Sequence, residues 1–308
     1  SDDYDIRGGR LQDSFAEGTT SSIGASWITD RGYLGAAHTR QDAEYGLPGH
    51  SHKNGVCHTH GIDLHCQAHD AYEDPFGSSD DHTARIKLRS ERTDIRADVS
   101  DPLPGFEHLR LRLSSTDYRH DEVDGPALFN RYTNGVDDGR IELIHKPLWG
   151  STGLMGVQYT DSTFSGLNVN NLHVPFPENG YGLVPPYYYL TESIGVFLSE
   201  RRSFENVDVE VAVRKDWREI KVPAPAFRHT LTPAYQDLFE GWYGPDWEQV
   251  IEDEVVQSFI RRNPGTKQRP VSASVGANWN VADGYAIALS LGGTQRPPGV
   301  REVYAYGN

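Results

Sequence analysis

What the sequence lacks first is a long hydrophobic run. Nowhere do roughly 18 apolar residues stand together, so no membrane-spanning helix is encoded. The amino end is polar from Ser1 onward and shows no signal-peptide core. A basic surface is also missing: the formal charge is -15 with 29 Lys and Arg against 44 Asp and Glu. Phosphate binding displaces counterions from a basic surface, so no nucleic-acid partner is expected. An anionic surface draws cations instead. Catalytic signatures are absent too: no Ser/His/Asp nucleophile motif, HExxH helix or phosphate-cradling glycine loop stands in a convincing context, so the chain is not expected to be an enzyme.

A mean hydropathy of -0.60 does not exclude a membrane β-barrel, because only every second residue of its strands faces lipid. The 308 residues suffice for one large all-β domain. The sequence opens without Met and stops at Tyr306, Gly307 and Asn308, so it is expected to be part of a longer protein.

Two-residue alternation recurs along the chain and puts apolar side chains on one face of a strand. Val207, Val209, Val211 and Val213 alternate with Asp208, Glu210 and Arg214, and Leu109 to Leu113 alternate with Arg110 and Arg112. Val271, Ala273, Val275, Ala277 and Trp279 share a face, and so do Tyr285, Ile287, Leu289 and Leu291. Short turn-type links at 30–32, 102–105, 148–150, 205–206 and 282–284 alternate with long segments at 47–80, 123–134, 168–184 and 223–268. About ten strands follow. Tight turns at one end and long loops at the other describe a transmembrane antiparallel β-barrel. Trp27, Tyr33, Trp279 and Tyr285, each near a short turn, are expected on the apolar face as an aromatic girdle at the lipid headgroups. A soluble β-sandwich or a secreted β-rich metal-binding module is the alternative. Within 223–268, Trp247, Val250, Ile251, Val255 and Phe259 are spaced for one face of a helix over 246–260.

Seven of the 13 His fall in or beside the first long loop: His50, His52, His58, His60, His65, His69 and His82. Imidazole is the usual nitrogen ligand of zinc and copper, and i, i+2 spacing lets neighbouring rings converge on one ion. Both cysteines, Cys57 and Cys66, lie in the same loop. They could complete a Cys₂His₂ zinc site, but the spacing matches no standard zinc-finger pattern. In an oxidising exterior they would instead form a disulfide, contributing roughly 2–3 kcal/mol in the chain-entropy model.

The stretch from Tyr45 to His52, followed by the Cys/His loop, resembles the first large extracellular loop of TonB-dependent zinc receptors of the ZnuD type. The runs Asp117 to Glu122, Arg140 to Leu143 and Gly156 to Tyr159 resemble barrel strands of those receptors. Arg296, Pro298, Glu302, Val303 and Tyr304 resemble the R-x-P-x-x-x-E-L-Y motif of TonB-dependent barrels, with Val at the Leu position.

The resemblance implies that residues 1–308 are a partial barrel from a 22-stranded, plugged outer-membrane barrel, with 47–82 as a His/Cys-rich extracellular loop. It implies import of Zn²⁺, the TonB complex of the inner membrane as partner and outer-membrane lipid as surroundings. A receptor for haem or a metal–chelate complex is the alternative cargo reading. Neither plug nor TonB box is read here, so the chain is expected to supply only the barrel part of a lumen metal site. Glu200 is the residue that the resemblance assigns to it, and Tyr306 stands where a His would be sought.

Overall fold

The computed structural model describes residues 2–7, 9–11, 14–47, 57–60, 63–66, 84–124, 127–168 and 179–304. A short hairpin of β1 (Tyr4–Ile6) and β2 (Gly9–Leu11) precedes the main sheet. The sheet begins with β3 (Ala16–Thr29) and β4 (Gly32–Gly46), and between β4 and the next sheet strand lies a separate hairpin of β5 (Cys57–His60) and β6 (Asp63–Cys66). It continues through β7 (Ala84–Ser100), β8 (Phe106–Asp124), β9 (Ala127–Leu148) and β10 (Ser151–Asn168). After β11 (Tyr181–Val184) come β12 (Tyr187–Phe204) and β13 (Val207–Lys221). Beyond β14 (Ala226–His229), α1 (Pro233–Tyr243), α2 (Trp247–Arg262) and β15 (Thr266–Gln268), the sheet ends with β16 (Val271–Ala282) and β17 (Tyr285–Thr294), followed by α3 (Val300–Tyr304).

Ten strands pair in the order β17-β16-β13-β12-β10-β9-β8-β7-β4-β3, each beside its sheet neighbour in sequence, and β15 adds to β13 as an eleventh. Every pairing is antiparallel. This is the up-and-down order of a membrane barrel, and the alternation of the sequence supplies it. The expected alternation of the links holds at one end. Residues 30–31, 101–105, 149–150, 205–206 and 283–284 make the short turns. At the turn after β9, Trp149 and Gly150 both have positive φ (52° and 79°), as a two-residue hairpin loop of the primed type requires.

The opposite end departs from expectation at one place. Residues 123–134, expected as a long loop, mostly continue β8 and β9, with Glu122 paired to Asn130 and His120 to Tyr132. The β9 strand is thereby 22 residues long. At about 3.3 Å per residue it exceeds the roughly 30 Å hydrocarbon core even when strongly tilted. Its outer portion must therefore stand in water. The residues agree: on the face that is apolar nearer the turns, the outer portion carries Arg40, Asp42, Arg89, Glu91, Arg119 and Asp121, cross-linked by ion pairs such as Arg40–Asp42 at 2.6 Å and Arg131–Asp121 at 2.7 Å.

Nearer the turns that face is a belt of Ile23, Leu34, Ile95, Leu113, Ile141, Val157, Val196, Val213 and Leu289, all exposed. Ile23 is 76% and Leu291 74% exposed, so no protein layer covers the belt. Uncovered apolar area of this extent is unfavourable in water and matches lipid. Trp27, Trp279 and Tyr285 lie on it near the turns, as a girdle would. Tyr33 does not. It pairs with Asp98, in register with Arg110, on the polar face. Among the described residues no helix is long and apolar enough to cross a membrane.

The helix expected at 246–260 is α2, which starts one residue later and runs to Arg262. Its Ile251 and Phe259 are buried, and Phe259 packs on Tyr187 at 4.9 Å between ring centroids. The fully buried Ile220 lies on β13 where β15 pairs with it.

Candidate functional site

Three places hold side chains with binding chemistry: the loop between β4 and β7, the polar face of the sheet, and the joint between β17 and α3.

In the first, His50, His52, His69 and His82 lie outside the described residues. The β5–β6 hairpin brings Cys57 opposite Cys66, His58 opposite His65 and His60 opposite Asp63. Among the described residues no group of three or more His, Cys, Asp or Glu is placed to hold a metal.

The polar face is a continuous network. Arg140 donates to Glu142 at 2.7 Å, and its guanidinium carbon lies 4.2 Å above the Phe197 ring. Arg214 approaches the same ring at 5.7 Å, donates to both oxygens of Asp216 and reaches Gln158 at 3.1 Å. Asp138 accepts from Gln158 and Thr160, each at 2.7 Å. Two glycines make this possible. A Cβ at Gly156 would stand 2.6 Å from the Ile141 carbonyl oxygen and 2.4 Å from Phe197, and one at Gly195 would meet Asp216 and Arg214. The ring and the guanidinium lie flat over strands that carry no side chain there.

Closer to the outer end of the same face, His120 contacts the Tyr118 hydroxyl through Nδ1 at 2.9 Å and packs on Tyr132 at 4.6 Å. Its Nε2 is 3.9 Å from Glu122, which accepts from Asn130 at 2.5 Å. His120 and Glu122 were not marked by sequence, although i, i+2 spacing of a His and a carboxylate on one strand was available as a signal.

Glu200 is placed differently from the lumen position expected of it. The register puts it in line with Ile194, Val196 and Leu198, on the apolar face near the short turns. There it meets His145 Nε2 at 2.9 Å across Gly153, where a Cβ would crowd Glu200. His145 Nδ1 donates to the Lys146 carbonyl at 2.7 Å. A bulge at Ser151–Gly153 in the β9–β10 pairing sets His145 opposite Gly153, and sequence alone does not announce it.

At the third place the closing motif is a built structure. Arg296 grips Glu302 with both terminal nitrogens, at 2.8 and 2.5 Å, and the Gly299 N–H donates to the same carboxylate at 2.6 Å. The guanidinium and this N–H together hold the Glu302 carboxyl down at about 2. Tyr304 donates to the Pro264 carbonyl at 2.8 Å and packs at a tilt against Tyr189, 4.9 Å between ring centroids. The motif thus ties the outer end of β17 to the segment before β15.

An antiparallel up-and-down sheet with one uncovered apolar face, one salt-bridged polar face and tight turns at a single end is a section of a transmembrane β-barrel. The partial barrel expected from the sequence is what the structure has. The family described as TonB dependent receptor-like, beta-barrel matches residues 1–308, and the chain belongs to it.

Solved structures similar to the chain agree on the fold. The copper transporter OprC superposes with a TM-score of 0.64 at 11% identity, covering 97% of this chain and 41% of that one. The FrpB iron transporter from Neisseria meningitidis gives 0.55 at 10% identity, covering 92% and 38%. BauA, the ferric preacinetobactin receptor from Acinetobacter baumannii, gives 0.50 at 10% identity, covering 91% and 40%. The chain spans about two fifths of the length of each.

Proposed function

We propose that the chain is the barrel part of an outer-membrane receptor that imports zinc, with the segment between β4 and β7 as its extracellular capture loop. The observation that carries this reading is the position of seven histidines in one long connection at the end of the sheet opposite the tight turns. In membrane barrels that end faces the exterior. By strand alternation, positions 58, 60, 63 and 65 of the β5–β6 hairpin share one face, whereas 57 and 66 share the other. A segment with this many histidines and aspartates suits Zn²⁺, whose protein sites are built from His nitrogen and carboxylate oxygen as well as sulfur. Facing positions of an antiparallel pair lie about 4.5–5.5 Å apart at Cα, within the span of a disulfide. On this reading Cys57 and Cys66 brace the hairpin as a disulfide. His50, His52, His69 and His82 complete the ligand supply.

Passage is coupled to the TonB complex of the inner membrane, and the uncovered belt faces outer-membrane lipid. No bond is made or broken in the cargo. Glu200, on the lipid side with His145, has no part in the metal path, and His120 with Glu122 on the polar face takes the role that had been expected of it.

The test is growth at low zinc of cells that depend on the full-length receptor. Replacement of His58, His60, His65 and His69 together by Ala is expected to abolish that growth while the barrel still folds. Undiminished growth would leave the loop a structural role only. A haem or metal–chelate cargo is the second reading, favoured by the arginines of the polar face. Calorimetry with free Zn²⁺ against haem separates the two.

A further inference from the structure

Opposite charges two positions apart on one strand close into ion pairs repeatedly along this sheet. Arg40–Asp42, Arg92–Asp94 and Arg214–Asp216 do so at 2.6, 2.8 and 2.6 Å. Glu200 and Arg202 on β12 have the same spacing and share the apolar face, yet each turns to a different partner. Glu200 Oε1 meets His145 Nε2 at 2.9 Å, and its other carboxylate oxygen has no partner among the described residues. Gly153 leaves the room for this, since a Cβ there would stand 2.6 Å from the Glu200 carboxyl carbon. Arg202 leans toward the tight turn, where its guanidinium carbon lies 5.2 Å from the centre of the Phe204 ring. It is exposed and makes no hydrogen bond or ion pair among the described residues, whereas its neighbour Arg201, on the polar face, pairs with Asp208 at 2.9 Å. The open pair stands where the apolar belt meets the girdle. Leu198 and Val211 flank Glu200, and Phe204 is in register, through Val207, with Trp279; all four of these large side chains are exposed. Headgroups meet a barrel at this level, and the tight turns mark the periplasmic side.

We infer that Glu200 and Arg202 form a headgroup site for a periplasmic-leaflet phospholipid that carries a primary ammonium beside its phosphate. The Arg202 guanidinium donates to the phosphate, and the free oxygen of Glu200 accepts from the ammonium. The acyl chains then lie along Leu198 and Val211. Two strand positions, about 6.6 Å, separate the two protein charges, and the two-carbon link of phosphoethanolamine holds its own charges at a comparable reach. A headgroup with phosphate alone gains from Arg202 but meets the Glu200 carboxylate, and a choline headgroup has no N–H to donate. His145 acts as a positioning residue that keeps Glu200 from closing on Arg202. The site rests on the reading that the belt meets lipid and does not depend on zinc as the cargo.

The experiment titrates the delipidated full-length receptor in detergent with phosphatidylethanolamine, phosphatidylcholine and phosphatidylglycerol, and counts bound lipid by native mass spectrometry. Each variant is first shown to be folded by its heat-resistant migration on gels. The wild-type protein is expected to bind its first phosphatidylethanolamine about tenfold more tightly than its first phosphatidylcholine, as one charge-assisted hydrogen bond would give. Glu200→Gln should erase that preference and leave phosphatidylcholine binding as it was, while Arg202→Gln should weaken the first lipid of all three kinds. His145→Ala, which frees Glu200 to reach Arg202, should lower phosphatidylethanolamine binding with both charges of the site still present. Equal affinity for the three lipids in the wild-type protein overturns the site and leaves the belt in lipid. So does a preference that survives Glu200→Gln, or first-lipid binding unchanged by Arg202→Gln. No bound lipid of any kind overturns the lipid reading of the belt as well.

Discussion

The segment between β4 and β7, proposed above as a capture loop, and the polar face are both rich in charged and nitrogen-bearing side chains, yet they are built differently. Between β4 and β7 the ligand-type residues are dense, and the only regular structure described is the four-residue pairing of β5 with β6. On the polar face the positions are fixed by ladders up to 22 residues long, and the prevailing groups are arginine and carboxylate. A dense set of imidazoles suits a soft-to-borderline cation, whereas arginines paired with carboxylates hold one another in place.

The largest effect that separates the two regions is expected from the loop. Changing His58, His60, His65 and His69 to Ala should weaken zinc binding by about a hundredfold or more, since metal affinity rests on the ligand bonds themselves. The barrel should remain folded, as judged by its heat-resistant migration on gels. Loss of both together would break the division between regions.

Next comes the apolar belt. Val157→Arg puts a charge between its direct cross-strand neighbours Ile141 and Val196 and should destabilise the folded barrel by about 2–4 kcal/mol if that face meets lipid. Ser114→Arg, one strand position away from Leu113 and on the polar face between Asp94 and Asp138, is expected to be close to neutral in the same unfolding assay. Equal costs at the two positions would contradict the assignment of faces.

A smaller cost is expected for Gly156→Ala. The added methyl meets the Ile141 carbonyl oxygen and Phe197, so Phe197 must leave its place under Arg140. Overpacking of this kind costs about 1–3 kcal/mol. Zinc capture by the loop should be untouched, which sharpens the separation.

The smallest effect is the acid response at the Arg296–Glu302 tie. The carboxyl is held at about 2, below its ordinary value of 4.5. A group depressed in the folded state contributes above its unfolded value and loses that contribution as pH falls through the folded one. Between pH 4.5 and 2 the tie should release, seen as a carboxylate resonance with a midpoint near 2. In Arg296→Gln the midpoint should move up toward 4.5.

Much of the frame was legible because alternation of period two is a property of the sequence. Val207 to Val213 and Tyr285 to Leu291 read directly as strands with one apolar face, and α2 was marked by its spaced Trp247, Ile251 and Phe259. Where both faces are wet, that signal fades. Residues 130–134 carry polar groups at successive positions, so that part of β9 was read as loop although its ladder to β8 continues there and on past a bulge at Glu122–Val123. Register is the second gap. Glu200 and Tyr33 were each assigned to a face that a shift of one residue reverses, and neither the bulge at Ser151–Gly153 nor the alignment of Arg96, Arg112 and Arg140 follows from any one strand. The histidine cluster was visible as composition. The register that sets Cys57 opposite Cys66 and His58 opposite His65 needed the β5–β6 pairing.

X-ray absorption at the zinc edge of the zinc-loaded full-length receptor tests the capture loop most directly. The account predicts nitrogen scatterers at about 2.0–2.1 Å with the outer-shell pattern of imidazole, lost when His58, His60, His65 and His69 are replaced by Ala. A shell of oxygen alone, or a nitrogen shell that survives those four substitutions, would contradict it.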